Sequence, residues 1–199
     1  MQKTICVFGA STTWGAWDSE KGGWVNRLRL SLEKEKYDTD VYNLGVSGDN
    51  SRNLLKRFEP ECRAREPTMI IISIGDNDSA KNSPVYVPIT EFKSSLIELI
   101  KISTKFTNNL LILGTKNVDE TKTQPVPWDT SVYYSNKNLI EYDKEIEKIC
   151  TKERVNFLKL SGLLKKEDFE DGIHPNSKGH EKIFRVVKDY LVKKRLVVK

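Results

Sequence analysis

Short apolar runs alternate along the chain with longer stretches in which apolar residues recur every three or four positions. Residues 4–8, 40–44, 68–74, 110–114 and 155–160 are of the first kind and predict five strands. The nearly unbroken β-branched run over 68–74 suits a strand buried on both faces. Helical spacing appears at Val25, Leu28 and Leu32, and again over 51–65, where Pro60 is expected to break or restart the helix. It recurs at Phe92, Leu96, Leu99, Ile100 and Ser103, over 139–150, and in a last helix from about Asn176 to about Lys194 that carries Ile183, Val186, Val187 and Tyr190.

Strands that alternate with helices imply right-handed crossovers and a parallel sheet covered on both sides. The fold class expected is α/β: a three-layer α/β/α sandwich whose five-stranded sheet has the flavodoxin-like order 2-1-3-4-5. In such sheets chemistry gathers beyond the carboxyl ends of the strands. Neither an internal repeat nor a linker interrupts the pattern, so residues 1–199 read as one domain. The long irregular stretch 115–137, with Pro125, Pro127, Trp128, Tyr133 and Tyr134, predicts a packed flap.

Composition adds limits to this picture. A chain of 199 residues, 38% apolar and 31% charged, can bury a core; a chain of this size hides about 70% of its unfolded surface. No run of about 18 apolar residues is present, so no membrane span is expected. The first nine residues lack the apolar core and cleavage site of a signal peptide and read as strand. Cys6, Cys62 and Cys150 are odd in number and scattered, which suggests neither a disulfide frame nor a zinc knuckle. Cys6 and Cys150 read as core thiols, and a reducing cytoplasm is the expected compartment. The net charge of +5 is densest at Lys188, Lys193, Lys194, Arg195 and Lys199, where cations suit a solvated helix end; no nucleic-acid partner is expected.

Candidate chemistry lies in four segments. Phe8 to Gly15 sets Ser11 between glycines after the first strand, without the spacing of a phosphate cradle. Asn43 to Asn50 follows the second strand, and Ser73 to Asp78 the third. Each of these two, taken alone, reads equally as a turn built from Gly, Asn and Asp. Asp171 to Asn176 precedes the last helix, and Asp171 can turn back onto the Nδ1–H of His174, leaving Nε2 free to take a proton. Histidine occurs only at 174 and 180, and His180 falls on the last helix as a surface or packing residue. In a 2-1-3 order the first three segments are neighbours, so a hydroxyl, N–H donors and an imidazole would converge at one edge.

These blocks, over nearly the whole chain and in this order, resemble the SGNH, or GDSL-like, hydrolase family. The resemblance implies Ser11 as nucleophile, His174 as general base and Asp171 as its orienting carboxylate. It implies an oxyanion hole of Ser11, Gly48 and Asn77; Gly48 is preferred to Gly45 because Ser47-Gly48-Asp49 is similar to the family's S-G-D turn. It further implies hydrolysis of small-molecule carboxylic esters through an acyl-enzyme, with no metal or organic cofactor. Short acyl or O-acetyl groups are favoured, since the chain has little room for a deep lid. Trp14 and Trp17 are candidates to line the substrate pocket, with Trp128, Tyr133 and Tyr134 of the long stretch as its opposite wall. The family's Gly-Asp-Ser reads Gly9-Ala10-Ser11 here; Asp76 or Asp49 could supply the support that Ala10 lacks.

Two other readings stand beside this one. Ala10 motivates a catalytically weak binding protein that retains the fold and pocket. Strand order alone allows a flavodoxin-like nucleotide or flavin binder, which would leave the Asp171–His174 pair without a role.

Overall fold

The computed structural model describes residues 3–197. Its five strands, β1 (Lys3–Gly9), β2 (Thr39–Gly45), β3 (Met69–Ser73), β4 (Leu110–Leu113) and β5 (Asn156–Leu158), form one parallel sheet in the order β2-β1-β3-β4-β5. The register sets Gly45, Gly9, Ser73, Leu113 and Leu158 side by side in one row. Every strand therefore ends at the same rim, and the loops that leave it emerge together.

The helices are α1 (Ser11–Trp14), α2 (Trp24–Lys34), α3 (Ser51–Arg65), α4 (Ile89–Ser103), α5 (Glu120–Thr123), α6 (Asn136–Glu153) and α7 (Ser177–Lys193), with a 3₁₀ turn at Lys166–Asp168. Strand side chains alternate between two apolar layers. Cys6, Phe8, Ile70, Ile72 and Ile112 pack against α3, α4 and α6 through Phe58, Leu96 and Ile146. Ile5, Val7, Ile71 and Leu111 face α2 and α7 through Leu28, Leu32, Ile183 and Val187. The three layers and the strand order are those expected from the alternation of periods.

Two local expectations need correction. Helix α3 runs through Pro60 without a break. Pro60 and Lys56, whose carbonyl loses its N–H partner, are both exposed, so that carbonyl is not forced to go unpaired in the core. Leu54, Phe58 and Cys62 meanwhile hold the opposite side of the helix in the core. Helix α6 begins at Asn136 because the Ser135 hydroxyl accepts the Asn138 N–H at 3.2 Å, a cap that apolar periodicity does not register. The stretch 115–137 includes the one-turn α5 and is packed on its own small core of Val118, Val126, Val132, Tyr134 and Leu139 together with Ala80 and Ile173. Cys62 joins Cys6 and Cys150 as a buried free thiol, and burial pushes all three up to about 12. No helix among the described residues is long and apolar enough to cross a membrane.

Candidate active site

Ser11 opens α1, the single turn that leaves β1. The turn depends on Gly9: a Cβ there would lie 2.1 Å from the Thr13 hydroxyl oxygen and 2.6 Å from the Ser73 carbonyl. With hydrogen in its place the chain reverses tightly enough to lift Ser11 above the strand ends. On the far side of the fold Asn176 caps α7, its side-chain oxygen accepting from the N–H groups of Lys178 and Gly179. That cap fixes the loop that precedes α7 and carries His174 to the rim.

The two segments meet. Ser11 Oγ lies 2.8 Å from His174 Nε2, and His174 Nδ1 lies 2.6 Å from Asp171 Oδ2. The other Asp171 oxygen accepts the backbone N–H groups of Ile173 at 3.0 Å and His174 at 2.8 Å. Burial alone would raise the Asp171 pKa, but these bonds from the ring and backbone outweigh it and lower it to about 2. An anion at Asp171 holds the proton on Nδ1 and leaves Nε2 as a hydrogen-bond acceptor facing the Ser11 hydroxyl.

Three N–H donors belong to residues that line one cleft with this pair. Among the described residues the backbone N–H groups of Ser11 and Gly48 find no protein acceptor. Gly48 has φ +81°, which only glycine adopts at little cost, and a Cβ there would meet nothing within 4 Å. Glycine is therefore required by the backbone; crowding by the protein itself plays no part. Asn77 is buried and held at both ends of its amide. Its Nδ2 donates to the Asp49 carbonyl at 2.8 Å, and its Oδ1 accepts from the Tyr134 hydroxyl at 2.8 Å. A carbonyl can only accept, so the amide orientation is determined, and one N–H is left over.

The floor beneath Ser11 contains two ion pairs. Lys116, buried just past the end of β4, donates to Asp76 at 2.6 Å, and both line a small cavity of about 20 Å³ with Ala10 and Ser11. Arg57 pairs with Asp49 at 2.6 Å and also donates to the carbonyls of Leu44 at 2.8 Å and Gly9 at 3.4 Å. Asp49 thus supports the serine turn indirectly, through Arg57, and Asp76 does so from below.

A cleft of about 670 Å³ opens above the serine, lined by Trp14, Trp17, Gly48, Asn77, Trp128 and His174 among others. The Trp128 ring is stacked on the His174 ring at 6.1 Å. Trp14, Trp17 and Trp128 are each more than half exposed, so packing beneath a loop does not account for them. The loop 15–23 that bears Trp17 is nailed down from behind. Buried Asp18 accepts from Gly23 N–H at 2.9 Å, from Arg27 at 2.8 and 2.9 Å, and from Ser177 on α7 at 2.8 Å. Burial opposes ionisation of Asp18, and these donors override it, holding its carboxyl well below the usual range. His180 is fully buried beside it. Its Nδ1 accepts the Trp24 N–H at 3.2 Å and its Nε2 donates to the Ala16 carbonyl at 2.9 Å. Of the two roles open to His180, it takes packing.

Ser11, Trp14, Trp17, Gly48, Asn77, Trp128, Asp171 and His174, all singled out in the sequence, therefore lie at one rim. Tyr134 lines the cleft as the long stretch suggested, but its bond to Asn77 and the parts played by Arg57 and Lys116 were not foreseen. Lys116 alone had a legible signal, its place just past a strand's carboxyl end. No group of three or more His, Cys, Asp or Glu among the described residues is placed to hold a metal ion.

Comparison with known proteins accords with this arrangement. Residues 7–182 match the model of the GDSL-like lipase/acylhydrolase family, and the chain belongs to that family. It is a carboxylic ester hydrolase. An isoamyl acetate-hydrolyzing esterase of Saccharomyces cerevisiae is 24% identical over 167 residues, 76% of this chain and 70% of the relative. An arylesterase of Vibrio mimicus is 26% identical over 193 residues, 95% and 88% of the two chains. Among solved structures, an acetylxylan esterase from Geobacillus stearothermophilus superposes with a TM-score of 0.77 at 17% identity, covering 95% of this chain and 94% of its own. A psychrotrophic esterase from Pseudoalteromonas does so with a TM-score of 0.76 at 21% identity, covering 98% and 99%. At these identities the structural likeness speaks for the fold.

Proposed function

We propose that residues 1–199 form a single serine-hydrolase domain that cleaves esters of short acyl groups through an acyl-enzyme on Ser11. The observation that carries this reading is the unbroken chain Ser11–His174–Asp171, with contacts of 2.8 and 2.6 Å. As Ser11 Oγ bonds to the ester carbonyl carbon, His174 Nε2 takes the hydroxyl proton. The bond to the alcohol oxygen then breaks, and His174 returns the proton to the departing alkoxide. Water repeats the sequence: His174 takes its proton, its oxygen bonds to the acyl carbon, and Ser11 leaves reprotonated.

Asp171 remains an anion throughout and stabilises the imidazolium. The negative charge that develops on the carbonyl oxygen meets the N–H groups of Ser11 and Gly48 and the spare N–H of Asn77. One such donor contributes about 3–4 kcal/mol when it is fixed beforehand, which is the service Tyr134 and the Asp49 carbonyl perform for Asn77. The open cleft, lined by Trp14, Trp17 and Trp128, favours acetyl and similarly short acyl groups. Acetate esters also figure in the names of the yeast relative and the Geobacillus neighbour. Three buried, unpaired cysteines suit a reducing cytoplasm.

Labelling by a fluorophosphonate, together with turnover of p-nitrophenyl acetate, tests the reading. The expected result is a single adduct on Ser11, absent in Ser11→Ala. Folded protein that neither labels nor turns over the ester would instead point to a binding protein that retains the pocket, the reading that Ala10 motivates.

A further inference from the structure

Trp17 pays for its position. It is a bulky residue at φ +66°, a region that side chains of its kind rarely adopt, and 59% of its surface is exposed, so burial returns little for that strain. The loop imposes the conformation. Asp18 N–H donates to the Gly15 carbonyl and Gly22 N–H to the Asp18 carbonyl, while the Asp18 carboxylate is locked to Arg27, Gly23 and Ser177. A rigid mount that presents an indole face to water serves something that lands on it.

What lands there can be read from the two sides of the ring. Trp14 and Trp17 line the cleft above Ser11, and the same two residues line a second basin of about 700 Å³ with Gly15, Asp18, Ser19, Gly22 and Glu170. The basin therefore adjoins the reacting centre across an indole wall. Apart from the two indoles its lining is loop backbone, the Ser19 hydroxyl and the Glu170 carboxylate, the Asp18 carboxylate being buried behind it. Asp18 is consumed by Arg27, which leaves exposed Glu170 as the acceptor. Glu170 is held to the loop of the general base, its N–H donating to the His174 carbonyl at 3.0 Å. Beyond the two indoles a lipid chain would find no aliphatic side chain in this lining. A pyranose or furanose ring would place its polarised C–H face on an indole, whose π face is negative, and its hydroxyls against the carboxylate and serine.

We propose that the alcohol part of the ester is an oligosaccharide of at least two rings. The acylated ring sits at Ser11, and its neighbour crosses the Trp14–Trp17 wall into the second basin to hydrogen-bond Glu170. This rests on the reading of Ser11 as the residue that accepts the acyl group.

The test compares mono-O-acetylated monosaccharides with the matching disaccharides, built on glucose, xylose and N-acetylglucosamine. In at least one pair, kcat/KM should be tenfold or more higher for the disaccharide. Trp17→Ala should bring that ratio close to one, Trp17→Phe should recover part of it, and Glu170→Gln should lower it. Trp17→Gly, which relieves the backbone, should melt at the same or a higher temperature and still lose the ratio, which separates stacking from support of the fold. Equal kcat/KM within all three pairs, or a ratio that survives in Trp17→Ala, overturns the proposal and leaves the Ser11 reading untouched. A parent protein that fails to hydrolyse p-nitrophenyl acetate overturns the Ser11 reading instead. Calorimetric titration of Ser11→Ala protein with the same sugars then judges the basin alone: tighter binding of a disaccharide that Trp17→Ala abolishes supports it, and equal binding of mono- and disaccharide refutes it.

Discussion

The molecule contains two histidines six positions apart, and it uses them in opposite ways. His174 stands half-buried at the rim with one ring nitrogen on a hydroxyl and the other on a carboxylate. His180 is sealed under the loop 15–23 with both nitrogens on backbone groups, one accepting from Trp24 and one donating to Ala16. Each ring is restricted to one tautomer by its partners. Only His174 presents its accepting nitrogen to a group that can give up a proton and then react. Imidazole chemistry is thus allotted by what each nitrogen faces: the same side chain is proposed as the general base at one site and acts as a tie between α7 and the serine-bearing segment at the other.

The widest separation of the two is expected from His174→Ala. Turnover of p-nitrophenyl acetate should fall roughly 10⁴-fold or more with the melting temperature nearly unchanged. Asp171→Asn should approach that loss, because the anion that holds Nδ1–H is gone, while KM stays close to the parent value. A variant of either residue with near-parent kcat would remove the distinction drawn here.

A smaller effect is expected at the proposed oxyanion donors. Asn77→Ala should cost about 10²–10³ in kcat with little change in KM. Tyr134→Phe, which frees one end of the Asn77 amide without deleting it, should cost less than Asn77→Ala. If the two variants were equal, orientation of the amide by Tyr134 would be the whole of its contribution.

The least effect on turnover and the clearest effect on stability belong to His180. Burial lowers its pKa to about 4, with the Ala16 bond opposing. The unfolded chain, with an ordinary histidine value of about 6.5, takes up the proton first as the medium is acidified. The contribution of His180 is therefore intact above about pH 6.5 and is lost progressively down to about pH 4, in total roughly 3 kcal/mol at about 1.4 kcal/mol per unit. Asp78, pushed up to about 6 by burial, acts in the opposite sense across nearly the same window. The telling quantity is accordingly the difference in urea-unfolding free energy between the parent and His180→Gln, which should shrink on going from pH 7 to pH 4. A difference independent of pH would contradict the burial argument.

The sheet order and the two apolar layers were legible because they rest on periods of two and three to four residues, which the strands and helices obey. The rim was legible because Ser11, Gly48, Asn77 and His174 all follow strand ends or precede a helix, where backbone geometry demands a particular residue. Pro60 misled because the rule against proline concerns a lost hydrogen bond, and periodicity cannot say whether that carbonyl faces water. What Tyr134, Arg57 and Lys116 hold escaped for a related reason. Each acts across a long stretch of chain, on Asn77, Gly9 and Asp76, and each sits in a segment where its residue type is ordinary: an aromatic in a long loop, an arginine on a charged helix, a lysine before a turn.

The proposed reactive pair is separated by 163 positions. During synthesis the Ser11 hydroxyl would wait for the 163 positions that separate it from its proposed proton acceptor to be made, and for α7 to dock. On the proposed mechanism a polypeptide still short of His174 would not turn over the esters around it. Recovery of turnover after dilution from denaturant would mark the arrival of that final helix, a signal that a spectroscopic probe of the sheet would not give.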